Sequence, residues 1–227
     1  MNFQRNRLAY ARRETIGKDN RREKTMRIKV TLVEGMLGTA SANPEIHAEF
    51  IASKSADADK KKEELESLPA DDLIEKSMTV FPRDENGAPI LYDYQFKGFL
   101  KETLGILLDF VEADCRIGKA KLSRWTFKKI VDNAVMVSPR KIALDMPEGT
   151  GITHCTRPLR AETMRGERVA LATSEEIPAG TTFICEITTL DKHLDELMVK
   201  CLDYGANKGI GQWRNSGKGR FAWEVVA

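Results

Sequence analysis

The chain has 227 residues, with 36 Lys and Arg against 34 Asp and Glu, and 41% of it is hydrophobic. This is enough apolar chain to bury a core as one large domain or two small ones, and it excludes disorder throughout. The net charge of +2 excludes a polycation that coats nucleic acid indiscriminately, while leaving local basic surfaces open.

The four cysteines, Cys115, Cys155, Cys185 and Cys201, are far apart and form no CxxC pair. Their spacing indicates no zinc site, and nothing in the sequence demands another metal or a cofactor. No apolar run reaches the roughly 20 residues that span a bilayer. With no secretory segment, the expectation is a soluble cytoplasmic protein without disulfides and without a membrane partner.

Residues 1–25 carry Arg5, Arg7, Arg12, Arg13, Lys18, Arg21, Arg22 and Lys24 against only Glu14, Asp19 and Glu23. Such a basic, core-poor segment reads as an arm that orders on a neighbouring subunit or on nucleic acid, or as a disordered leader. Residues 26–34 alternate, with Met26, Ile28, Val30 and Leu32 on one side and Arg27, Lys29 and Thr31 on the other. That is a half-buried strand whose charged face is open to water or to a ligand.

Residues 45–53 and 57–68 have helical character, the second with both charge signs along it, as a solvated insertion helix has. A short strand at 77–82 runs into the turn Arg83-Asp84-Glu85-Asn86-Gly87. Residues 96–112 form the clearest helix, since Phe96, Phe99, Leu100, Leu104, Leu107, Leu108 and Val111 recur at three- and four-residue spacing. Tyr92, Tyr94 and Lys97 stand at its start, where unpaired backbone donors can receive an anion or the tyrosines can simply pack the helix end.

A further helix is expected within 119–132, with Trp125, Phe127 and Ile130, and residues 135–146 read as two short strands or one. Residues 154–160 are polar and read as an exposed projection bearing Arg157, Arg160, Arg165 and Arg168, tempered by Glu162 and Glu167. Strands follow at 167–173 and 182–188. A second amphipathic helix uses Leu190, Leu194, Leu197, Met198, Cys201 and Leu202, and Gly205 is expected to close it.

The stretch 205–220, GANKGIGQWRNSGKGR, then leads into a strand at 221–226. Gly205, Gly209, Gly211, Gly217 and Gly219 shape this loop, and Lys208, Trp213, Arg214, Lys218 and Arg220 sit among them. Glycine at such density suits tight reversals and close backbone approach. Four cations and one tryptophan suit phosphate attraction with base stacking; the alternative is a long turn with solvated cations and Trp213 in the core.

The order of elements describes an α+β, ferredoxin-like chain. Its antiparallel sheet should contain 26–33, 182–188 and 220–226, with the helices at 96–111 and 190–202 on one face. Residues 26–227 form a single domain in this reading, expanded by insertions at about 35–80 and 113–166.

Three stretches give the chain a family resemblance. They are PRDENGAPILYDYQFKGFLKE at 82–102, EIPAGTTF at 176–183, and the glycine-rich 209–221. In this order they are similar to the repeat-associated RNA-binding (RAMP) superfamily, the backbone subunits of CRISPR effector complexes. Here Gln212-Trp213-Arg214-Asn215-Ser216 interrupts the central glycines, which suits a diverged relative, such as one encoded by a phage or mobile element. The resemblance implies a modified RNA-recognition fold, a glycine loop near the RNA-binding face, and subunits stacked along a guide strand.

The chemistry of catalysis is sparse. Of the three histidines, His47, His154 and His193, only His154 has cations nearby in sequence, Arg157 and Arg160. These could serve a metal-independent ribonuclease with His154 as general base. Asp84, Glu85, Asp93, Asp145 and Glu148 have no spacing that joins them into a metal site, and the phosphate-binding pattern Gly-x-x-x-x-Gly-Lys-Ser/Thr is absent. The sequence therefore points to a noncatalytic single-stranded RNA-binding subunit of a ribonucleoprotein or oligomer, with Lys97, Arg157, Arg160, Lys208, Trp213, Arg214, Lys218 and Arg220 in contact with RNA. The alternatives are a protein-docking factor, for instance on a host complex, that keeps the fold without binding RNA, a small-molecule binder using the loop as an anion cradle, and the ribonuclease.

Overall fold

The computed structural model describes residues 24–43, 45, 78–110, 116–117, 120–163 and 166–226, with 116, 120, 159–163, 166–168 and 170 described by backbone alone. The basic arm up to residue 23, the helices expected over 45–53 (apart from Glu45) and 57–68, His47, Cys115 and Arg165 lie outside the described residues.

Strand β1 (Lys24–Leu32) follows from the alternation: Ile28, Val30 and Leu32 are buried, and Arg27, Lys29 and Thr31 occupy the other face. Short strands β2 (Met36–Leu37), β3 (Ala40–Ser41), β4 (Thr79–Val80) and β5 (Ile90–Tyr92) precede helix α1 (Asp93–Phe110). After the two-residue pair β6 (Arg116–Ile117) and β7 (Ala120–Lys121) come helix α2 (Phe127–Ala134), β8 (Val135–Ser138) and β9 (Lys141–Ala143). The remainder is β10 (Thr153–Thr163), β11 (Gly166–Ile177), β12 (Thr182–Thr189), helix α3 (Lys192–Lys208), a 3-10 turn (Arg214–Ser216) and β13 (Phe221–Val225).

The main sheet runs β13-β1-β12-β8, with every neighbouring pair antiparallel. In chain order these four strands are fourth, first, third and second, and α1 and α3 occupy the two crossovers. This is the split β-α-β arrangement of a ferredoxin-like, RNA-recognition-type fold. Both helices lie on the face to which Ile28, Val30, Leu32, Phe183, Cys185 and Ile187 point, and these residues share one core with Phe96, Leu100, Leu104, Met198 and Leu202. Phe96 packs edge to face on Phe183 with ring centroids 5.7 Å apart, and Phe99 on Phe221 at 5.8 Å, so aromatic contacts lock α1 onto both an inner and an edge strand.

Several elements differ from the sequence reading. Helix α3 runs through Gly205 to Lys208 and is closed instead by Gly209, whose φ of 85° is of the left-handed sign and whose N–H bonds the Gly205 carbonyl at 2.8 Å. Gly205 stays helical because it is a contact point: a Cβ there would overlap the Phe99 ring. Residues 135–146 divide between two sheets. Strand β8 supplies the fourth strand of the main sheet, while β9 pairs with β5, and the cis Ser138–Pro139 bond lies at the junction. Trp125, expected on a helix, precedes α2 and is 92% exposed.

The stretch read as a polar projection followed by a strand is one long hairpin, β10 with β11, from Thr153↔Glu176 to Thr163↔Gly166. Its β11 strand is joined in a second sheet to β4 and β3, and β2 adds to it. Among the described residues no helix is long and apolar enough to cross a membrane.

Candidate nucleic-acid interface

The glycine loop closes against the end of β1. Gly219 has a φ of 72°, and a Cβ at this position would overlap the Ile210 carbonyl, so only glycine fits. Its N–H donates to the Gly35 carbonyl at 2.9 Å, and its own carbonyl accepts from Ile210 N–H at 2.9 Å. Arg220 continues the join, its carbonyl accepting from Val33 N–H at 2.8 Å. Gly211 and Gly217 are also left-handed in φ. The loop is thus a fixed double bend rather than a slack connection.

Most of the cations singled out from the sequence are already engaged. Arg214 forms a two-pronged pair with Glu102 of α1, both bonds at 3.0 Å. Lys218 donates to Glu176 at 2.6 Å, and this bond raises the ammonium's pKa above its ordinary value. Arg157, only 5% exposed, donates to Ser174 Oγ at 2.8 Å and to Gln212 Oε1 at 2.6 Å. Lys97 reaches away from the loop to the Asp132 carbonyl at 3.0 Å, and its partial burial lowers its pKa. Arg220 is exposed and Lys208 half-buried, and neither side chain has an ion-pair partner among the described residues. Arg160 stands in β10 opposite Val169.

Trp213 is the one non-glycine residue with positive φ among those described, at φ 54° and ψ 35°. An L-residue there costs about 1–2 kcal/mol. The bend is held by Ser216, whose N–H and Oγ bond the Trp213 carbonyl at 3.1 and 3.0 Å. The indole is 40% exposed, so it is not the core tryptophan that one sequence reading allowed, and the Arg157 guanidinium lies over its ring at 5.7 Å from the centroid.

Two cavities flank the loop. One, of about 380 Å³, has an apolar floor of Met36, Leu37, Phe99 and Ile210, with Glu102 and Arg214 also lining it. The other, of about 450 Å³, is lined by Arg157, Gly211, Gln212, Trp213, Arg214 and Asn215.

The helix-free face of the sheet carries Arg27, Lys29 and Thr31. Register sets Arg27 opposite Glu186 and Lys29 opposite Glu224, so the potential there alternates in sign instead of forming a basic stripe. Within the candidate set around His154, the strand separates His154 from Arg157. His154 is exposed in β10, and Arg157, three residues on, points to the opposite face of the strand and is buried.

No family model matches the chain, and no curated protein matches its sequence. Its fold is similar to a solved one. One such neighbour is a chain in the cryo-EM structure of the Type III-B Cmr-beta bound to cognate target RNA, with a TM-score of 0.52 and 11% identity, covering 100% of this chain and 68% of that one. At this identity the likeness is one of fold alone.

Sequence reasoning did not find Glu102 and Glu176, which hold the loop cations Arg214 and Lys218, or Ser174 and Gln212, which hold Arg157 of β10. Glu102 lies 112 residues from Arg214, and Glu176 lies 42 from Lys218, so no local pattern joins them. Gln212 and Asn215 were visible only as interruptions in the glycine run.

Proposed function

We propose that the chain is a noncatalytic subunit that binds single-stranded RNA within a ribonucleoprotein or oligomeric assembly. The observation that carries this reading is a tryptophan held half-exposed on a rigid, strained loop beside a guanidinium, on an RNA-recognition-type fold. Strain of this kind persists where surrounding structure enforces it, and it clusters at functional sites. The fold likeness to a chain of an RNA-bound complex supports the same reading.

In this proposal residues 26–227 act as one unit and the arm 1–25 reaches a neighbouring subunit. Arg220 and Lys208 supply phosphate attraction, Trp213 supplies stacking, and Arg157, Arg214 and Lys218 mainly shape the loop. Arg160 and Lys97 remain RNA contacts to be tested. The protein acts in the cytoplasm in this reading, without cofactor or metal.

A second reading is favoured by a different observation. The loop's strongest cations are paired with acids, and β11 exposes Val169 and Leu171, which suits a factor that docks on protein, such as a phage or mobile-element product. Salt-dependent binding of fluorescent poly-U by the purified protein separates the two. Binding tighter than that of an unrelated protein of net charge +2, falling with salt, supports RNA; a stoichiometric protein companion with no RNA supports docking.

A further inference from the structure

The cavity beside Trp213 has a composition that the RNA reading alone does not require. The Arg157 guanidinium covers one face of the indole, held by Ser174 on one side and Gln212 on the other. A ring with one face taken by a buried cation has only the other face to offer. It can therefore stack one planar partner, and a run of bases cannot continue through it.

The cavity also offers specific polar atoms. Gln212 spends its carbonyl oxygen on Arg157, so its amide N–H groups are what remain to donate. Asn215 is exposed beside them, and its amide has no hydrogen-bond partner among the described residues. Amide side chains of this kind pair with the edges of unstacked bases. A volume of about 450 Å³ lies within the range of about 300–1,000 Å³ common to small-ligand pockets. Arg214 is held by Glu102, so stacking and edge contacts, more than phosphate charge, dominate here.

We propose that Trp213, Arg157, Gln212 and Asn215 form a subsite for a single unpaired nucleobase, stacked on the free face of the indole with its edge against the two amides. The proposal rests on the RNA-binding reading and adds to it a stoichiometry of one base per chain.

The test uses the full chain and fluorescein-labelled RNA 12-mers: one of uridines, one wholly abasic, and abasic 12-mers carrying one, two or four adenines. Wild type should bind the wholly abasic strand about fivefold to a hundredfold more weakly than the uridine strand, the loss of one stacked base. One adenine should restore most of that loss, and further adenines should add little. Trp213→Ala should bind all the strands alike, and Trp213→Phe should keep the dependence on a base. Because the decisive comparison varies the RNA, it does not depend on how a variant folds. Equal binding of based and abasic strands by wild type, well above the unrelated control protein, overturns the subsite and leaves RNA binding standing. A steady gain with each adenine overturns the single-base stoichiometry, and failure to bind any strand overturns both.

Discussion

If the glycine loop is a fixed shape, alanine substitutions along it should have graded effects that the local geometry sets. Gly219→Ala places a Cβ on the Ile210 carbonyl oxygen at a φ of 72°. The left-handed conformation alone costs about 1–2 kcal/mol. The collision is with backbone and cannot be relieved by a rotamer change, so the hydrogen bonds joining Gly219 to Ile210 and Gly35 must give way, at about 1 kcal/mol each. The sum is about 3–4 kcal/mol, which for a domain of this size lowers Tm by roughly 6–16 °C. Gly217→Ala meets only the Arg220 side chain at 3.8 Å, at a φ of 93°, and should show the conformational cost alone, about 1–2 kcal/mol. Gly98→Ala, exposed within α1 with no atom within 4 Å of its Cβ, should stabilise by about 1 kcal/mol. Urea unfolding followed by circular dichroism measures all three. A Gly219→Ala variant within about 0.5 kcal/mol of wild type, or no worse than Gly217→Ala, would refute the fixed double bend.

Salt titrations of poly-U binding should show Arg220→Ala flattening the logarithmic slope by about 0.7, as for one lost single-strand phosphate contact, while Trp213→Ala weakens binding and leaves the slope unchanged. A double-mutant cycle between Arg214 and Glu102, whose side chains are 24% and 44% exposed, should give a coupling of only about 0.2–1 kcal/mol in unfolding experiments. Burial raises the thiols of Cys185 and Cys201 from 9.0 to about 12. The unfolded chain therefore loses these protons first, and their contribution is complete below pH 9.0 and declines up to about pH 12. The decline should approach about 1.4 kcal/mol per pH unit per thiol; urea midpoints measured across this range should show it, and Cys201→Ala should reduce the slope despite its own cavity cost. Removal of residues 2–25 should change the mass measured by light scattering in the presence of RNA, and an unchanged mass would refute an arm that crosses between subunits.

The main sheet and its two helices were legible because their signal is periodic. Alternation at Met26, Ile28, Val30 and Leu32, and the stripe from Phe96 to Leu108, report one-sided burial directly. What was missed lacks a period. Strand β8 is four residues long and ends at Ser138, just before Pro139-Arg140, and its place beside β12 depends on pairing Val135 with Thr189, 54 positions away. Gly205 looked like a helix stop because glycine ordinarily destabilises helix interiors, and only the approach of Phe99 explains its retention. The hairpin hid behind Arg157-Pro158, since its buried arginine reverses the usual link between charge and exposure. The site was legible in residue type, not in arrangement: the glycines and Trp213 stood out, while the acids that hold the cations come from α1 and β11.

The central position of β1 bears on the timing of synthesis. Lys24 pairs with Thr189, and Ile28 with Val225, so β1, made first among the described strands, waits for both of its neighbours. At about 5–20 residues per second, the interval between the end of β1 and the appearance of β12 is roughly 8–30 s. During that time β1 has two unpaired edges and a face of Ile28, Val30 and Leu32 to cover. Contacts of such long sequence separation also slow folding after release. A nascent chain stalled before β12 is therefore the species most exposed to chaperones and to pairing with another copy, and a codon-level slowdown within 33–181 should reduce the yield of folded protein more than one placed within 190–220.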